Sequence, residues 1–149
     1  MIIRAAGPPD AAAMSLLRAA SVRHLCHADH HDDPAAIASW IGDSSPAKFI
    51  MLLQRQDVSL IVAEVDTEMV GLAGLSGDLV TLNYVHPAYR FQGVSKALMA
   101  ALEQRMRDHG IGLGRLNSTA TARRFYRSIG WSDAGAGTPE QGYPMEKRL

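Results

Sequence analysis

Cysteine is nearly absent from this chain: Cys26 is the only one in 149 residues. One thiol closes no internal disulfide, and its isolation fits a reducing compartment. Net charge is absent too. Fifteen lysines and arginines balance fifteen aspartates and glutamates, so no field of one sign exists to hold nucleic acid or an anionic membrane non-specifically. No apolar run approaches the ~18 residues of a membrane span. The opening segment MIIRAAGPPDAAAM has no basic stretch followed by a long apolar one, so no secretion signal is expected. These absences predict a cytoplasmic protein with neither nucleic acid nor membrane as partner. Internal repeats and linkers are also missing. Residues 1–149 are therefore expected to form one domain, which at this length hides roughly 68–70% of its unfolded surface.

The hydrophobic pattern then sets an order of elements. Residues 2–6, IIRAA, open a short strand. Residues 8–25 read as a helix with prolines in its first turn and Met14, Leu17, Val22 and Leu25 at roughly helical spacing. Two further helix starts follow, with Asp32 or Asp33 before Pro34 and Ser44 or Ser45 before Pro46. From Val58 the pattern becomes aliphatic and β-branched: VSLIVAEV, MVGLAGLSG and DLVTLNYV read as three successive strands. The turn at Asp66 and Thr67 lacks the Asn-Gly signature of the tightest hairpin. A helix from about Val94 stops at His109–Gly110. A strand at LGRLNS, a helix TATARRFYRSI stopped by Gly130, a Gly/Pro-rich stretch and a final strand MEKRL complete the chain. The order β-α-α-α-β-β-β-α-β-α-β predicts a single α/β (α+β) domain with a mixed, mostly antiparallel sheet flanked by helices.

One stretch, VHPAYRFQGVSKALMAALEQRM from Val85, carries chemistry. Pro87 forces a turn after the strand. Gly93 permits a backbone conformation closed to other residues and a close approach to a ligand. The first N–H groups of the next helix have no internal partner and stand at its positive end, which suits phosphate. Arg90 adds a permanent cation. The same letters also describe an ordinary helix capped by Ser95 with a solvated arginine, and spacing alone does not separate the two readings.

Further residues bear on that choice. Arg90, Gln92, Gly93 and Ser95 follow an Arg/Gln-x-x-Gly-x-Gly/Ala pattern, and Asn117, Ala122, Phe125, Tyr126, Gly130 and Trp131 follow an Asn … Ala-x-x-Phe-Tyr-x-x-x-Gly-Phe pattern. In both segments, and in its hairpin and last strand, the chain resembles the GNAT superfamily of N-acetyltransferases. Phe91 departs from a frequent glycine, and Ser95 from a glycine or alanine.

The resemblance implies acetyl-CoA as co-substrate and direct attack of an amine on the thioester. It implies a cofactor cradle of Tyr84, Val85, Arg90, Phe91, Gln92, Gly93, Val94, Ser95, Lys96 and Asn117, with the pantetheine along Leu82–Val85. Ser95 is expected to donate a hydrogen bond there. Tyr126 matches the family's general acid; packing beside Phe125 is the other reading. Asn117 either binds the cofactor chain or bonds locally. Asp78, at the opening of the strand, is the candidate general base, with a water relay as the alternative. The segment HLCHADHHDD holds His24, His27, Cys26, Asp29, His30 and His31. His27 and His31 would share a helix face, but closed zinc sites draw ligands from two separate segments and no second cluster exists, so no metal is expected. The place of this segment in the family makes His30 and His31 candidates for substrate contact. The acceptor implied is a small-molecule or peptide amine. A homodimer is left open. The competing reading is a non-catalytic acyl-CoA-binding sensor or regulatory module.

Overall fold

The structure, a computed structural model, describes residues 1–42 and 44–149. Strands β1 (Ile2–Ala5), β2 (Val58–Val65), β3 (Glu68–Ser76), β4 (Leu79–Val85), β5 (Leu113–Ser118), β6 (Ser132–Asp133) and β7 (Tyr143–Arg148) form one sheet in the order β1-β2-β3-β4-β5-β7-β6. Every neighbouring pair is antiparallel except β4 with β5. Helices α1 (Ala11–Leu25), α2 (His27–His30), α3 (Pro34–Ile41) and α4 (Pro46–Leu53) precede β2. Helix α5 (Val94–Asp108) joins β4 to β5, and α6 (Arg123–Ser128) follows β5. Among the described residues no helix is long and apolar enough to cross a membrane.

Both faces of the sheet are covered, and the two-residue period of β2 shows it. Leu60 and Val62 join Met14, Leu17 and Phe49 on one side. Ile61 and Ala63 join Leu98, Met99, Leu102 and Met106 of α5 on the other. Each of these side chains larger than alanine contributes about 1.5–3 kcal/mol by leaving water. Gly71 lets α5 settle on β3, since a Cβ there would lie 2.6 Å from Val94 Cγ1 and 2.8 Å from Leu98 Cδ1. The start of α5 is thereby fixed against the sheet.

The architecture expected from the sequence holds, with local corrections. The β2–β3 hairpin turns on Asp66 (φ 50°) and Thr67 (φ 66°), the positive angles of a type I′ turn, with threonine where that turn favours glycine. Residues 27–30 form a short helix of their own. His31 at φ 50° ends it, so His27 and His31 do not share a helical face. Helix α6 begins at Arg123, four residues later than its letters suggest. Strand β6 lies inside the Gly/Pro-rich stretch, and β7 starts at Tyr143.

Candidate active site

Val80 opposite Leu116 is the last matched pair between β4 and β5. A bulge at Thr81, between the pairs Leu75–Val80 and Gly74–Leu82, bends β4 away from its neighbour. Beyond it β4 still pairs with β3, and His86 N donates to Val70 O at 2.8 Å. The alternation of an antiparallel ladder then turns the backbone groups of Asn83 and Val85 away from β3, into the opening. The opening is a cleft of about 540 Å³, with Cys26, Ala122 and Phe125 among its walls.

The turn before α5 closes one end of this cleft. Phe91 (φ 64°) and Gly93 (φ 82°) both take left-handed conformations. The first intrahelical bond is Ala97 N to Gly93 O, and the N–H groups of residues 91–96 have no partner among the described residues. Six donors thus lie at the positive end of a 15-residue helix. Arg90, Gly93, Ser95 and Lys96 line the cleft. Phe91 is 90% exposed, with the Arg90 guanidinium 4.5 Å over its ring. Its positive φ explains why glycine suits that position. The helix cap is Gly93, without a side-chain bond, and Ser95 sits inside the first turn. The alternative of a Ser95 cap is therefore corrected: Ser95 already lies within the helix, two residues past the capping position.

Tyr126 reaches the cleft from α6. It is 6% exposed, and Asn83 Nδ2 donates to its hydroxyl oxygen at 3.1 Å. Burial pushes the phenol up to about 12, with the Asn83 bond opposing the rise. Asn83 Oδ1 is itself buried without a partner among the described residues. An orphaned acceptor, a free strand edge and a crown of free N–H groups together fit the amide chain and phosphates of an acyl-CoA.

Comparison with known proteins gives this cleft a family. Residues 27–149 match the family model described as Acetyltransferase (GNAT) domain. The chain belongs to the GNAT acetyltransferases. No curated protein sequence matches this GNAT chain. Among solved structures, it is similar to one described as a GCN5-related N-acetyltransferase, aminotransferase class-II, from Rhodopseudomonas palustris, with 25% identity, TM-score 0.89 and coverage of 99% of this chain and 95% of that one. The PaiA N-acetyltransferase of Thermoplasma acidophilum, solved in complex with coenzyme A, shares 22% identity at TM-score 0.82, over 99% and 98% of the two chains. A ribosomal-protein-alanine N-acetyltransferase from Brucella melitensis shares the fold at 18% identity and TM-score 0.72, over the full length of both.

The remaining candidates of this GNAT protein scatter. Asp78 lies outside the cleft walls and grips Arg115 through both oxygens, at 2.8 and 2.9 Å. Arg115 holds its carboxyl below the usual range, which weakens it as a base. Asn117 lines the cleft, but its Nδ2 donates to Gln141 O at 2.8 Å. His30 is 3% exposed. Its Nε2 bonds Val22 O at 2.7 Å and its Nδ1 accepts from Asp32 N at 3.0 Å. His31 is exposed and lines neither the cleft nor the second cavity described below. The side chains of His27, His30 and Asp32 offer atoms within 4.8 Å of one another, yet both His30 nitrogens are already bonded and His27 Nδ1 holds Asp32 at 2.6 Å.

Sequence reasoning missed two residues. Asn83 stood only as a strand position, and no spacing joins it to Tyr126, 43 residues on. Asp29 accepts the N–H groups of Ala120 (2.7 Å) and Thr121 (3.0 Å) and the Thr121 hydroxyl, anchoring the approach to α6. Its place in an acidic, histidine-rich run hid that role.

Proposed function

We propose that the protein transfers an acetyl group from acetyl-CoA to a primary amine by direct attack on the thioester. The observation that carries this reading is the splay of β4 from β5 opening onto the free N–H groups before α5. Acetyl-CoA supplies an activated acyl carbon and a thiolate leaving group. The chain supplies the rest. Residues 91–96, with Arg90 and Lys96, hold the diphosphate. The edge of β4 at Asn83 and Val85 pairs with the amide chain and aligns it. Tyr126 points its phenolic hydrogen at the departing sulfur. With its phenol near 12 and a thiol near 8.5, it acts first as a hydrogen-bond donor to the growing thiolate, passing the proton on only as charge develops. Among the described residues no carboxylate lines the cleft, and water takes the proton that the amine loses.

A thiol-release assay with a panel of primary amines, paired with calorimetric titration of acetyl-CoA, tests the reading. Binding with amine-dependent thiol release supports it. Binding with no release from any amine identifies a sensor module instead. Absence of binding overturns both.

A further inference from the structure

A second cavity adjoins the cleft and shares Tyr84, Asn117 and Thr119 with it. We propose that this cavity takes the acceptor and selects an amine bearing a second positive charge, with Glu140 and the rings of Trp40 and Tyr84 holding that charge. The proposal deepens the acetyltransferase reading and rests on it for the cavity's role, though not for its ligand chemistry.

Two observations point to a cation. The first is charge: Asp29 and Glu140 line the cavity, and among the described residues no lysine or arginine does. Neither carboxylate has an ion-pair partner among the described residues. Asp29 spends its oxygens on the backbone before α6, whereas the Glu140 carboxylate makes no bond to the described residues. The second is aromatic: Trp40 Nε1 donates to the Tyr84 hydroxyl at 3.3 Å, tying two rings together at the wall. Aromatic faces attract ammonium and guanidinium groups within ~6 Å. Arg18 already stacks 5.5 Å over Tyr84 but does not line the cavity.

The loop bearing Glu140 is held in place. Thr138 and Gly142 exchange backbone bonds at 3.1 and 2.7 Å, and Asn117 clasps Gln141 O. Gly142 (φ 82°) has no room for a Cβ, which would collide with the Asn117 amide. Glu140 thus lines the cavity from a tight turn, close to Asn117, which the cavity shares with the acyl cleft. An acceptor spanning this distance presents one amine to the thioester and a second cation to Glu140. An acceptor with a carboxylate at that end meets like charge.

Calorimetric titration of the intact protein with 1,4-diaminobutane and with 1-aminobutane tests this. The diamine is expected to bind at least about fivefold more tightly, the worth of one part-exposed ion pair of ~1 kcal/mol. Glu140→Gln should erase the difference, and Glu146→Gln, an exposed carboxylate outside the cavity, should leave it intact. The Glu140 side chain has no bond to the described residues to lose on substitution, so folding is preserved. Equal affinities, failure of the diamine to bind, or an unchanged preference in Glu140→Gln overturns the proposal. A diamine that binds with no thiol release would sink the acetyl-transfer reading and leave the cavity assignment standing; equal thiol release from mono- and diamines at low concentration would do the reverse.

Discussion

Asn83 on β4 and Tyr126 on α6 meet across the splayed edge of the sheet, with the Asn83 amide donating to the tyrosine hydroxyl at 3.1 Å. Because that bond occupies a lone pair of the oxygen, the phenolic hydrogen is free to point into the cleft. No bond from it to another described residue competes.

Tyr126→Phe removes that hydrogen and little else. Turnover should fall by about 10²–10⁴-fold, the worth of a positioned acid, while acetyl-CoA affinity stays unchanged by calorimetry. The Asn83 amide loses its partner, so stability should drop by about 1 kcal/mol. Near-normal turnover with a true acceptor would make Tyr126 a packing residue.

The same phenol ties stability to alkaline pH. Burial raises it from 10.0 to about 12, so the folded chain holds the proton more tightly than the unfolded one. That stabilisation is complete below pH 10 and is lost as pH rises through about 12. It amounts to something on the order of 2 kcal/mol. Urea midpoints at pH 9 and 11 should show the wild type losing more stability than Tyr126→Phe. Parallel losses would contradict the buried phenol.

Gly93 tests the phosphate turn. A Cβ there meets open space, but φ is 82°, a conformation a β-branched residue resists. Gly93→Val should therefore bend the turn and weaken acetyl-CoA binding by at least about tenfold, for a backbone strain of roughly 1–3 kcal/mol. Unchanged affinity in a folded variant would place the diphosphate elsewhere.

Cys26 lines the cleft without being built as a nucleophile. Burial pushes its thiol up to about 12, and Asp29 reinforces the rise, leaving almost no thiolate at neutral pH. Cys26→Ala should keep most of the turnover. An acetylated Cys26 trapped on the reaction path would overturn direct transfer.

Away from the cleft, Glu103 is buried and accepts from Trp131 Nε1 at 3.1 Å and Lys147 Nζ at 2.9 Å. Lys147→Ala leaves that carboxylate short of its nearest cation, with Arg107 at 3.5 Å. A loss of about 2–3 kcal/mol is expected, below the 3–5 of a fully buried pair because Lys147 is partly exposed. Urea denaturation measures it, and a loss under 1 kcal/mol would mean water reaches Glu103.

Much was legible in the sequence because local physics writes itself there. The two-residue alternation of β2, the aliphatic stripe of α5 and the glycine before it follow from burial and backbone sterics within a few residues of chain. The turn before α5 lies in one continuous segment, so its left-handed glycine could be read directly. The helix face is less legible: Ala122, Phe125 and Ile129 share one face of a helix by spacing, yet they are half-buried at the cleft and Tyr126 is the buried one. Periodicity gives a face and not its depth; depth depends on the sheet edge opposite. Pairings across the chain were decided only by the tertiary structure. Asn83 meets Tyr126 because a bulge at Thr81 parts two strands. Asp78 is drawn to Arg115 by the parallel register of those same strands. Glu140 comes to the second cavity through a loop that Asn117 holds. Such contacts join residues dozens of positions apart, and a linear pattern carries no record of the distances that folding closes.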